Sequence, residues 1–196
     1  MPKLTFPKRH KHREVRAREH LTPPEVEKLR KAARNLGRHR DRNDTMILLA
    51  YRHGLRVSEL ITLRWDQLDL DQGLLHVRRV KRGVPSTHPL TGTEIRALRK
   101  RKRLTGESPY VFLSERQGPL TDSSVRKMIA QVGEVAALGF PVHPHQLRHA
   151  CGYKLANAHQ DTRAIQLYLG HRNIQHTVKY TELAAGRFQD FWSDED

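Results

Sequence analysis

Acidic residues are scarce in this chain: 21 Asp and Glu stand against 36 Lys and Arg, leaving a formal charge of +15. Such an excess calls for a polyanionic partner, and nucleic acid is the first candidate. Cysteine is almost absent. With Cys151 alone, neither an internal disulfide nor a cysteine-based zinc finger can form, which points to a reducing, cytoplasmic compartment. Long apolar runs are missing too. Nothing approaches the roughly 18 consecutive apolar residues of a membrane span, so no membrane role is expected. The opening residues, Met1-Pro2-Lys3-Leu4-Thr5-Phe6, lack the apolar stretch of a secretory leader. Hydrophobic residues make up only 37%, yet in 196 residues that suffices for one folded core. The expected plan is one domain plus an arm.

Residues 1–20 hold seven Lys and Arg and three His against two Glu, with no helical period. They are expected to form a flexible basic arm that settles only on a phosphate backbone, through side chains such as Lys8, Arg9, Lys11 and Arg13. A plain solvated tail is the alternative. Residues 21–196 are expected to be the folded domain. Thr22-Pro23-Pro24-Glu25 reads as a capped helix start with Leu21 stapled onto Val26, and Leu29, Ala33 and Leu36 carry the period to Gly37. Further helices are expected over about 41–53 and 57–63, after the Thr91-x-x-Glu94 cap, over 121–137, 145–158 and 162–169, and from 177 onward. Leu74–Val80 and Val84–Leu90 read as a β-hairpin with the basic turn Lys81-Arg82-Gly83; Pro85 and Pro89 make its second strand an edge. Tyr110-Val111-Phe112 reads as one more short strand. The fold class is therefore mainly α with a small antiparallel β-sheet (α+β).

Several polar groups sit where a fold has no need of them. In Gly54-Leu55-Arg56-Val57-Ser58-Glu59-Leu60 the glycine stops one helix, Arg56 opens the next, and Glu59 can orient the guanidinium. A surface ion pair would look the same. Lys81 is either a solvated turn charge or an ammonium delivered into a groove, where desolvation and nearby cations lower its pKa toward that of a general acid. His143-Pro144-His145-Gln146-Leu147-Arg148-His149 is the densest polar cluster. It reads as capping and surface histidines, as an anion site built from His145 and Arg148, or as zinc ligands. The last is disfavoured by the lack of a nearby carboxylate and by repulsion from Arg148. Tyr168-Leu169-Gly170-His171 closes a helix, and Tyr180 follows nine residues after His171. Cys151, within the apolar helix Leu147–Leu155, reads as a buried structural thiol rather than a nucleophile.

The ordered set G-L-R-x-x-E-L, a hairpin lysine, H-x-L-R-H, L-G-H and a tyrosine nine residues later resembles the tyrosine recombinase (phage integrase) family, over about Leu21 to Phe191. Stretches such as Leu49–Gly54 and His143–Tyr153 look like the short fimbrial phase-variation invertases of that family. The resemblance implies a recombinase catalytic domain and a site-specific DNA recombinase working through a 3′-phosphotyrosyl intermediate, in inversion, integration or excision. It implies Tyr180 as nucleophile, Arg56, Arg148 and His171 around the phosphate oxygens, and Lys81 as the acid for the leaving 5′-oxygen. His145 would be the acid–base helper and Glu59 a support, with Arg82 and the arm as DNA contacts. Double-stranded DNA, a homo-oligomer that is a tetramer at synapsis, and accessory DNA-bending proteins are the implied partners. No metal or other cofactor is implied, and the setting is a bacterial or phage protein in the cytoplasm, at the nucleoid. Typical members carry an N-terminal helical domain that clamps the far face of DNA, where only the basic arm is expected here. Leu183–Trp192, with Phe188, Phe191 and Trp192, is expected to dock onto a neighbouring protomer. Two other readings share features: a DNA-binding regulator derived from such an enzyme, and a type IB topoisomerase-like relaxing enzyme.

Overall fold

The computed structural model describes residues 19–79, 83–182 and 184. Lys81, Arg82, the arm residues Lys8, Arg9, Lys11 and Arg13, and Phe188, Phe191 and Trp192 lie outside the described residues.

Helix α1 (Pro23–Asn35) starts as its local chemistry dictates. Glu25 turns back to accept from the Thr22 N–H and hydroxyl, each at 2.8 Å, while Leu21, Val26 and Leu29 are buried. In α2 (Arg40–Arg52) the consecutive residues Met46, Ile47, Leu48, Leu49 and Ala50 are all buried, so this helix is enclosed rather than laid on a surface. Gly54 follows at φ +57, in the left-handed region, and a side chain there would overlap Leu169. The chain then enters the short α3 (Val57–Ile61).

Strands β1 (Leu68–Asp69), β2 (Leu74–Val77) and β3 (Ser86–Pro89) form an antiparallel sheet in that order, with Leu75 opposite His88 and Val77 opposite Ser86. The hairpin ladder is shorter than the sequence suggests, because Pro85 has no N–H to contribute; β3 takes the edge, where Pro89 is tolerated. β1 is two residues long and has no period by which to be recognised. Tyr110–Phe112 is not a strand. Val111 N–H donates to Leu63 O at 3.0 Å and Tyr110 makes one isolated bridge to Arg64, so the segment is an extended connector whose Val111 and Phe112 enter the core.

Helices α4 (Gly92–Thr105), α5 (Asp122–Val135), α6 (Pro144–Asn157), α7 (Thr162–Leu169) and α8 (Gln175–Glu182) complete the described chain. α2 packs against α1, α3, α4 and α6, and α6 packs in turn on α7 and α8. The described residues form two apolar clusters. The larger joins α1, α2, α4, α5 and the sheet; the smaller holds Cys151, Tyr153, Ala156, Ile165, Leu169 and Tyr180. α6 belongs to both, with Leu147 and Ala150 in one and Cys151 and Tyr153 in the other. The fold is mostly helical with one small antiparallel sheet, the class expected. No helix among the described residues is long and apolar enough to cross a membrane.

Candidate active site

Where the two clusters meet, a cleft of about 240 Å³ is lined by Arg56, His145, Arg148, His171 and Tyr180. Every expected catalytic residue within the described chain therefore reaches one place.

Arg56 caps α3. Its backbone N–H donates to Glu59 Oε2 at 2.9 Å and its Nη1 to Oε1 at 2.8 Å, while the side chain stays 30% exposed. The guanidinium is anchored on one side and open on the other. Glu59 is buried. Burial works to raise its pKa, but the Arg79 charge and the hydrogen bonds from Arg56 outweigh it and hold the carboxyl below its ordinary range. Arg148 is only 2% exposed and donates to the carbonyls of Gly54 and, at 2.7 Å, Leu169. Both carbonyls lie at helix C-termini, where the helix dipole favours a cation. Burial, then the charges of Arg56 and Arg79, lower its pKa to about 10, so it stays positive at neutral pH. His171 follows the end of α7 and its Nδ1 meets the Thr177 hydroxyl at 2.8 Å, leaving Nε2 to serve a ligand.

Tyr180 is buried, its ring against Gly152, where a Cβ would stand 2.7 Å from the nearest ring carbon. Burial pushes the phenol pKa up, against the pull of Arg148. Its hydroxyl lies 3.0 Å from His149 Nδ1, and Lys179 Nζ approaches the same nitrogen at 3.3 Å. His149, rather than the expected His145, is thus the imidazole at the hydroxyl. His145 is more exposed and meets the His149 ring edge to face, 4.4 Å between centroids. Desolvation first and neighbouring positive groups second depress these imidazoles, His145 to about 4 and His149 and His171 to about 3. All three are neutral at pH 7.

Sequence reasoning gave no site role to three members of this site. His149 stood out in the histidine cluster and the H-x-L-R-H motif, one helical turn after His145, but not as the partner of Tyr180. Thr177, which orients His171, gave no signal. Arg79 looked like one more hairpin charge, yet it is the buried partner of Glu59 at 2.9 Å. A buried chain beside the site was also hidden. Glu94 Oε1 lies 2.8 Å from His53 Nε2, His53 Nδ1 lies 3.1 Å from His88 Nδ1, and His88 Nε2 lies 2.8 Å from Ser86 Oγ. It fastens β3 to α2 and α4. Cys151 is enclosed and burial pushes its thiol up to about 12, in keeping with a structural role. Among the described residues no three His, Cys, Asp or Glu side chains are grouped to hold a metal ion.

The model of the phage integrase family matches residues 19–187, and the chain belongs to that family. It is 44% identical over 180 residues to the type 1 fimbriae regulatory protein FimB of Escherichia coli K12, across 89% of this chain and 90% of FimB. FimE of the same strain is 42% identical over 181 residues, across 89% of this chain and 91% of FimE. The crystal structure of XerA recombinase matches with a TM-score of 0.76 at 26% identity, across 90% of this chain and 64% of that one. The chain thus spans a little under two thirds of the XerA structure. By family it is a tyrosine-type site-specific DNA recombinase, and neither the regulator nor the topoisomerase-like reading is favoured.

Proposed function

We propose that this recombinase cuts and rejoins double-stranded DNA with Tyr180 as its nucleophile. The phenol oxygen attacks the scissile phosphorus and the P–O5′ bond breaks, leaving a 3′-phosphotyrosine and a 5′-hydroxyl. A 5′-hydroxyl from the partner strand then attacks that phosphorus and releases Tyr180. Each phosphodiester broken is re-formed, so no ATP is consumed. Negative charge gathers on the non-bridging oxygens in the transition state, where Arg56 and Arg148 present forks and His171 donates from Nε2. Lys81 protonates the departing 5′-oxygen. The phenol proton leaves through His149, in contact with the hydroxyl, and His145 beyond it. A phosphate in the cleft raises the pKa of both imidazoles by offsetting the surrounding cations, which readies them to accept.

The observation that carries this reading is the convergence of Arg56, His145, Arg148, His171 and Tyr180 on one cleft from α3, α6, the turn after α7, and α8. A second cleft of about 440 Å³ shares Arg56 and His145 and adds Ser58 and Arg126, a path for the neighbouring backbone phosphates. Arg82 and the arm over residues 1–20, through Lys8, Arg9, Lys11 and Arg13, add further phosphate contacts, while residues 21–196 carry the chemistry. A full exchange cuts four strands, so four copies assemble at synapsis. The setting is nucleoid DNA in the cytoplasm. Mixed with a nicked duplex built on the site that the wild-type chain cleaves, Tyr180→Phe should bind but form no adduct that survives denaturation. An adduct with that variant would move the nucleophile elsewhere.

A further inference from the structure

Arg79 follows β2, and its side chain is 0% exposed. A guanidinium withdrawn from water is costly unless its contacts repay the desolvation. Nη1 donates to Glu59 Oε2 at 2.9 Å, on the carboxylate whose Oε1 holds Arg56 at 2.8 Å. Nη2 donates to the carbonyl of Tyr168, near the end of α7. The stem fills the space over Gly170, where a Cβ would stand 2.6 Å from Nε and 2.8 Å from Cγ; Gly170 has φ +65, and His171 is the next residue. Gly83 yields to the same side chain, since a Cβ there would lie 2.8 Å from Arg79 Cβ. Nε itself is buried and finds no acceptor among the described residues. The placement therefore does not satisfy every polar group of Arg79. It does reach the supports of Arg56 and of His171 together.

We propose that Arg79 is a positioning residue, which through Glu59 and the Tyr168–Gly170 turn sets Arg56 and His171 relative to one another at the scissile phosphate. The inference rests on the reading of Arg56 given above. Arg56 engages both oxygens of Glu59, its backbone N–H on Oε2 and its Nη1 on Oε1, but all of these groups lie within one turn. Arg79, on Oε2, ties that turn to the end of α7, and a planar fork reaches the carboxylate and the Tyr168 carbonyl at once.

The test uses the full chain and a nicked duplex built on the DNA that the wild-type chain captures covalently. The scissile linkage is either the natural phosphodiester or a methylphosphonate, which removes the charge from a non-bridging oxygen and with it much of the demand for Arg56. Adduct formation in a single turnover at saturating protein is compared for wild type, Arg79→Met, Arg79→Lys and Arg56→Ala, each shown by melting to be folded at the assay temperature. On the phosphodiester, Arg79→Met should be slower on the order of 100-fold with little change in duplex affinity. Arg79→Lys keeps the charge but not the fork and should recover only part of the rate; full recovery would overturn the proposal. On the methylphosphonate, the deficit of Arg79→Met should shrink together with that of Arg56→Ala. If only the Arg56→Ala deficit shrinks, Arg79 does not act on the phosphate-binding groups, and the proposal fails while the reading of Arg56 stands. If neither shrinks, the reading of Arg56 fails and takes the proposal with it. Should Arg79→Met not fold, Gly83→Ala, which crowds the Arg79 stem, carries the same comparison.

Discussion

α2 and α6 both run through the middle of the molecule, and the stretches they bury there differ. Beyond a polar start with Arg42, Asn43 and Thr45 buried, α2 buries Met46, Ile47, Leu48, Leu49 and Ala50 in succession, whereas α6 buries Leu147 and Ala150 beside Gln146, Arg148 and His149. An apolar stretch needs only to be covered. A buried polar group needs a partner, and for Arg148 and His149 the partners lie on other elements: the Gly54 and Leu169 carbonyls and Tyr180. α2 is therefore scaffold, and α6 is the place where separate elements are tied together around a reaction. Such ties yield less net stability than aliphatic packing, because the hydrogen bonds largely replace ones made to water.

Crossed substitutions test that division most sharply. Leu49→Ala should lower unfolding stability by about 2–5 kcal/mol while leaving the adduct rate per folded molecule unchanged. Arg148→Lys keeps the charge but loses the fork, and should cost about 3–4 kcal/mol of transition-state stabilisation with a smaller loss of stability. Urea titrations paired with single-turnover cleavage would decide. If Leu49→Ala slowed chemistry as much as Arg148→Lys, the two helices would not divide the work in this way.

Acid should weaken the polar half first. His88, His149 and His171 are held neutral in the folded chain at about 3, by desolvation above all, against an ordinary value of 6.5. Between those values the unfolded chain binds protons that the folded chain refuses. Stability is therefore full above about pH 6.5 and is lost as the pH falls, with a slope approaching 1.4 kcal/mol per pH unit for each histidine. Melting temperatures from pH 7 down to about 4 should decline, and His88→Gln should flatten the decline. An unchanged slope in that variant would mean that His88 is protonated in the fold.

The smallest structural effect is expected at the arm, whose last residue, His20, stacks on Tyr153 of α6 with ring centroids 3.9 Å apart. Removing residues 1–20 should spare folding and cleavage at saturating protein, yet weaken DNA binding and lower its salt dependence, by roughly 0.9 in the log–log slope for each phosphate that the arm neutralises. A slope that did not move would make the arm a bystander.

Local chemistry made much of the fold legible. The boxes Thr22–Glu25 and Thr91–Glu94 close within their own turns, and the helix over 162–169 keeps the expected bounds. β1 and the Tyr110–Phe112 connector were not legible, because two-residue pairings and single bridges are decided by what lies opposite. Glu94 shows both sides of this. Its bond to Thr91 could be read from spacing, whereas its bond to His53 comes from across the domain.

By itself the sequence determined the helical and hairpin elements and, through its resemblance to the tyrosine recombinases, the class of the chain and the candidates Arg56, Lys81, His145, Arg148, His171 and Tyr180. Both rest on the order of residues along the chain, which is one-dimensional. Only the tertiary structure decided which imidazole meets the Tyr180 hydroxyl, which carbonyls hold Arg148, and that Arg79 shares Glu59 with Arg56. Each of these is a contact between elements far apart in the chain. Its geometry is set by how α2, α3, α6, α7, α8 and the sheet pack, and no local period carries that information.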